Sequence, residues 1–170
     1  NLYDRLAARY TRALARSMAN TKQVKAANVL NNAQVTSVTG GDGVSLINAS
    51  HPLATGGTFA NVLATAADLN ETSLEQSLID IAAFTDERGL KVAAKGVKMV
   101  IPSALQFTAE RIMKSEGRVA TADNDINAMR SMGMIPQGYR VNNFLTDPNA
   151  FFIITDVPNG MKPVSYTHLT

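Results

Sequence analysis

The sequence predicts an α+β fold: a long N-terminal helix, then a mixed unit in which helices pack against a small sheet. Three observations carry this. The stretch from about Leu2 to Ala33 has neither Gly nor Pro and places apolar side chains at a four-residue step. A second helical pattern starts at a capping sequence near Thr72. Short β-type runs bounded by Gly or Pro, such as Val97–Ile101 and Ala150–Thr155, supply strands.

In the first segment Leu6, Tyr10, Leu14 and Met18 recur every four residues, with Ala13 beside them. This is one helical face. It drifts towards Val24, Ala27 and Leu30, because a step of four outruns the helical turn. Unbroken, the helix is roughly 45 Å long. That exceeds what a compact domain needs and suits a strut or shared surface. Asn20–Thr21 and the cluster Asn28, Asn31, Asn32 are weak helix formers, where it can break or end early. Thr39-Gly40-Gly41-Asp42-Gly43 is a loop and the expected boundary to the globular unit.

Val44–Ala49 reads as a short strand and His51–Pro52 as a turn, with Gly56–Gly57 keeping the chain irregular. Thr72 with Glu75 fits a capping box for a helix that buries Leu74, Leu78, Ile81 and Ala82 and stops at Gly89. Leu90–Ala94 and Val97–Ile101 read as strands around Gly96. Pro102 opens a helix to about Glu116 that turns Leu105, Ala109, Ile112 and Met113 inward, and Gly117 ends it. Arg118–Gln137 is the least regular stretch, with Asp123 or Asn124 capping a short helix through Arg130. Tyr139–Leu145 and Ala150–Thr155 predict a hairpin across Thr146-Asp147-Pro148-Asn149.

Composition bounds the function. Of 170 residues, 45% are hydrophobic and 18% charged, enough for a core and too little charge for a disordered chain. The absence of Cys excludes disulfides, thiolate nucleophiles and Cys-ligated metals. No apolar run reaches the length of a bilayer span, and Asn1–Tyr10 lacks a signal-peptide core. The chain starts without Met inside a helical pattern, so an internal fragment is expected. Charge is uneven. Asn1–Leu30 holds Arg5, Arg9, Arg12, Arg16, Lys22 and Lys25 against Asp4, giving +5 within a total of +2. Such asymmetry marks a segment facing a partner or a nucleic acid.

Catalytic patterns are weak. His51 would need Ser50 or Ser103 as nucleophile, and no G-x-S-x-G elbow is present. Before Pro52 its ring is expected to make a local hydrogen bond. Asp123-Asn124-Asp125 lacks the spacing, Gly and distant Glu of a calcium loop and reads as a helix cap. Gly40-Gly41-Asp42-Gly43 lacks the Gly-Lys-Ser/Thr ending that cradles phosphate and reads as a connector. Asp86–Glu87 lies at a helix end, and Glu71 with Glu75 straddles a helix start, where negative charge offsets the dipole. No enzyme, cofactor or metal is expected. Arg5, Arg9, Arg12 and Arg16, spaced four, three and four, share one helical face. That row is a solvated face, a contact for an acidic neighbouring subunit, or a contact for DNA, in that order of expectation.

Five segments together resemble the major capsid (head) proteins of tailed bacteriophages, including the phage Mu-like head-subunit family. They are ALARSMANTKQVKAANVLNNA, GDGVSLINASHPLATGGTFANVLATA, LNETSLEQSLIDIAAFTDERGLKV, KMVIPSALQFTAERIM and NNFLTDPNAFFIITDVPNGM, in order over about Asn1–Met161. The resemblance implies the HK-ninety-seven-type fold. Residues 1–35 would be the spine helix of the peripheral domain and 36–161 the axial domain. It implies self-assembly through pentamers and hexamers into an icosahedral shell around double-stranded DNA, with a scaffold protein as a further partner. DNA would be enclosed without sequence-specific binding, in a virion built in the bacterial host cytoplasm or encoded by a prophage, with no membrane partner. The family brings no catalytic residues. Encapsulin nanocompartment shells are a structural relative and the alternative shell reading; a nucleic-acid-binding protein using Arg5, Arg9, Arg12 and Arg16 is the other. Residues 162–170 depart from the family and resemble translated sequencing-adapter sequence, so a non-native tail is expected there.

Overall fold

A computed structural model describes residues 2–118 and 125–158. The cap expected at Asp123 or Asn124 and the tail 162–170 lie outside the described residues. Helix α1 covers Leu2–Asn31. It runs through Asn20–Thr21 without a break, and the Thr21 hydroxyl donates to the Ser17 carbonyl at 2.9 Å. That i−4 bond keeps the hydroxyl satisfied without leaving the helix. α1 ends in the Asn-rich cluster, where asparagine side chains compete for backbone partners.

The next stretch is held by side chains. The expected strand Val44–Ala49 is absent; Ser45 makes a single bridge to Thr39. Asn61 takes the place of a partner strand: its Oδ1 accepts from the Asn48 amide at 2.8 Å and its Nδ2 donates to the Leu46 carbonyl at 2.8 Å. His51–Pro52, read as a turn, forms β1 and pairs antiparallel with β2, Thr58–Phe59.

Helix α2 spans Glu71–Ala82. Its cap is Asn70, not Thr72. Asn70 is extended, its Oδ1 accepts from the Ser73 amide at 2.8 Å, and Ser73 Oγ accepts from the Asn70 amide at 3.0 Å. The reciprocal motif exists two residues earlier than Thr72–Glu75, because Asn70 outranks Thr as a cap. Leu74, Leu78 and Ile81 are buried as expected, whereas Ala82 is exposed. The helix stops well before Gly89, which sits in a turn where the Asp86 carboxylate accepts from the amides of Arg88 and Leu90 at 2.8 and 2.9 Å. That turn, with Ala93 at φ 54°, leaves Leu90–Ala94 without strand geometry.

Strand β3, Gly96–Ile101, is the centre of a three-stranded sheet in the order β4-β3-β5. β4, Tyr139–Val141, runs parallel to it and β5, Phe152–Thr155, antiparallel. The hairpin expected from residues 139–155 is therefore corrected: its two arms flank β3 and do not pair with each other. β3 is the most buried strand, so both later strands gain more by pairing with it. The parallel β3–β4 link needs a helical crossover. It is made by a 3₁₀ turn at Ser103–Leu105, α3 at Gln106–Lys114 and α4 at Ala128–Met132. Pro102 is extended and precedes the turn instead of opening the helix. Buried Asn127 joins α3 to α4. Its Nδ2 donates to the Ile112 carbonyl at 2.6 Å, and its Oδ1 accepts from the Arg130 amide at 3.2 Å. Gly133, in the left-handed region, ends α4.

One core lies between these helices and the sheet, built from Leu69, Leu74, Leu78, Ile81, Ala94, Met99, Ile101, Ala109, Ile112, Met129 and Ile135. Leu105 and Met113 pack at its edge. α1 joins the globular unit through its last turns, where Ala27 is buried, and through Ala33 just beyond them.

Candidate functional site

The seat of α1 fixes what its remaining length presents. Asn31 grips the segment before β5 with both ends of its amide. Nδ2 donates to the Phe144 carbonyl at 3.0 Å, and Oδ1 accepts from the Thr146 amide at 3.0 Å. The Ile47 amide donates to the Ala33 carbonyl at 2.7 Å. Beyond this seat, towards the N-terminus, the described side chains up to Gln23 are exposed apart from half-buried Ala8.

Two rows follow from the helical turn. Arg5, Arg9, Arg12 and Arg16 fall within an arc of about 60°. All are exposed, and none forms an ion pair with the described residues. Leu14 stands about 160° away from Arg12 and Arg16. Its row is open to solvent: Tyr10 is 72% exposed, Leu14 62% and Met18 57%. Fully covering one such side chain is worth about 1.5–3 kcal/mol. One helix thus carries an exposed cationic row and, on another side, an exposed apolar row.

Elsewhere some titratable groups are held in structural pairs. His51 Nδ1 lies 2.6 Å from Asp42 Oδ2, and the ring packs near Phe59, which meets Phe84 edge-on at 4.9 Å. The hydrogen bond from His51 holds the Asp42 carboxyl below its usual range, with the Val44 amide adding to the effect and desolvation opposing it. His51 Nε2 is shielded from solvent and has no hydrogen-bond partner among the described residues. Ser50 and Ser103 are not bonded to this ring among the described residues, so no nucleophile completes a triad. The connector expected at Gly40–Gly43 thus carries one half of an acid–histidine pair, a contact that spacing alone does not announce. Lys114 at 2.7 Å and the Tyr139 hydroxyl at 2.8 Å both bind Glu110. They lower the Glu110 pKa, and Glu110 in turn raises those of Lys114 and Tyr139.

Two concavities complete the surface. A groove of about 440 Å³ runs between the end of α1 and the turn after it, lined by Lys25, Val29, Val38, Val44, Leu46 and His51 among others. A notch of about 210 Å³ lies where α2 begins, beside Arg118 and Asp125. Glu71, read from sequence as a dipole partner, also meets Arg118 Nε at 3.3 Å. Among the described residues no group of three or more His, Asp or Glu side chains could hold a metal ion. No helix among them is long and apolar enough to cross a membrane.

The comparisons with known proteins identify the family. The chain matches the family described as phage capsid protein over residues 2–168, and it belongs to that family. No curated protein and no solved structure matches it. Its role is therefore structural, in the capsid of a bacteriophage virion, and a capsid chain assembles with other copies into a shell.

Proposed function

We propose that the chain is a major head subunit of the HK-ninety-seven type, related to the phage Mu-like family. It assembles into an icosahedral shell around double-stranded DNA. The observation that carries this reading is α1, a thirty-residue helix anchored at its C-terminal end and exposed along most of its length. In this reading residues 1–35 form the spine of a peripheral domain, 36–161 the axial domain, and 162–170 a non-native tail. Pentamers and hexamers form in the host cytoplasm with the help of a scaffold protein, and the gene belongs to a phage or prophage. The DNA is enclosed and not read, since the arginines contact a neighbouring subunit. Large repeated surfaces suit such a shell better than one deep pocket, because many modest contacts act together.

The test is expression with a phage scaffold and maturation protease, followed by electron microscopy. Closed shells of uniform diameter are expected. A monomer persisting at high concentration under those conditions would sink the reading.

A further inference from the structure

We propose that the arginine row of α1 docks on the acidic notch at the start of α2 in a second copy of the chain. The pairing rests on the shell reading above and names the partner surface that reading leaves open.

Charge complementarity is the first argument. The α1 segment carries +5, whereas residues 61–85 hold Asp68, Glu71, Glu75 and Asp80 with no Lys, Arg or His. The two stretches have opposite sign. Like charges along the arginine row repel one another unless acids or other anions lie opposite.

Geometry is the second. The notch at the start of α2 is lined by Glu71, Glu75, Arg118, Asp125, Ile126 and Ala128. Arg118 Nε reaches Glu71 there, while the side chains of Glu75 and Asp125 make no hydrogen bond or ion pair with the described residues. A guanidinium entering from outside finds two unengaged carboxylates, either of which can accept its paired N–H donors. Ile126 at the rim is 74% exposed and Ile79 on the outer side of α2 is 61% exposed, so the acidic surface has apolar area to cover as well. Within one chain the row and the notch do not meet, since the arginines pair with no described residue. A second copy supplies what the first lacks.

The chain has no Cys, so two introduced thiols report the contact without background. Ala13→Cys beside the arginine row and Thr72→Cys beside Glu75 both replace exposed residues and leave every charge in place. The two variants are mixed under mild oxidation, and the heterodimer is compared with that from Ala13→Cys plus Asp147→Cys. An excess of about tenfold, falling as salt is raised, is expected. Adding Arg12→Glu and Arg16→Glu to the first chain should abolish the excess. Adding Glu75→Arg and Asp125→Arg to the second should restore it. A yield equal to the control, or one indifferent to charge reversal, overturns the proposal. So does arginine-dependent retardation of duplex DNA with no heterodimer excess. Electron microscopy of the unmodified chain, with scaffold and protease, separates the two levels. Shells without the excess reject this contact alone, and the excess without shells supports the contact and rejects the shell reading.

Discussion

Gly96 sits where β3 passes α2, and a side chain there has no room. A Cβ would lie 2.6 Å from Leu78 Cδ2 and 3.0 Å from Ile153 Cγ2. Gly96→Ala is expected to destabilise the globular unit by about 1–3 kcal/mol, the usual cost of overpacking. Urea unfolding monitored by circular dichroism checks it, and a midpoint equal to that of the parent chain would refute the close approach. Asp42 supports a second prediction at this scale. The hydrogen bond from His51 holds its carboxyl below the ordinary aspartate value. A group with a depressed folded pKa contributes stability above its unfolded pKa and loses it as pH falls through the folded one. The parent's stability advantage over His51→Ala should therefore be full above the ordinary aspartate range and shrink as pH falls through the depressed Asp42 pKa, and in the variant the Asp42 carboxyl should titrate nearer its ordinary value. Carbon-detected NMR titration of both chains measures this, and an unmoved Asp42 midpoint would count against the pair.

At the scale of elements, α1 depends on its seat more than on its length. A helix of its composition, with arginines on one side and a bare apolar row on another, gains little from packing before its last turns. Asn31 ties those turns to Phe144 and Thr146. Asn31→Ala leaves a carbonyl and an amide without this partner, at a cost of about 1–3 kcal/mol. Amide hydrogen exchange should quicken at Thr146 and in the last turn of α1 while β3 keeps its protection. Uniform quickening would instead mean that Asn31 supports the whole fold.

For the whole molecule, the core and the exposed rows of α1 lie in different parts. The core is shared by α2, α3, α4 and the sheet, and the apolar row of α1 contributes nothing to it. Leu14→Asp should change the unfolding midpoint by less than about 0.5 kcal/mol, as exposed substitutions do. It should also lower the yield of shells severalfold in electron micrographs. A loss of stability with assembly intact would reverse that division.

The sequence by itself determined the elements whose signal is local. The Gly- and Pro-free apolar step of α1, the buried face Leu74, Leu78 and Ile81, and the β-rich run into Ile101 are written in spacing, which the backbone period reads directly. The arginine row was legible for the same reason. Tertiary structure decided whatever depended on competition between distant partners. Asn61 replaced a strand partner for residues 46–48, Asn70 displaced Thr72 as cap, and β3 separated two strands that looked like a hairpin. His51 met Asp42, and Asn31 met Thr146, through contacts between residues that local periodicity cannot rank. A helix face costs little to specify within a few turns, whereas a sheet order or a side-chain clamp is chosen only when the folded chain weighs all its unsatisfied groups at once.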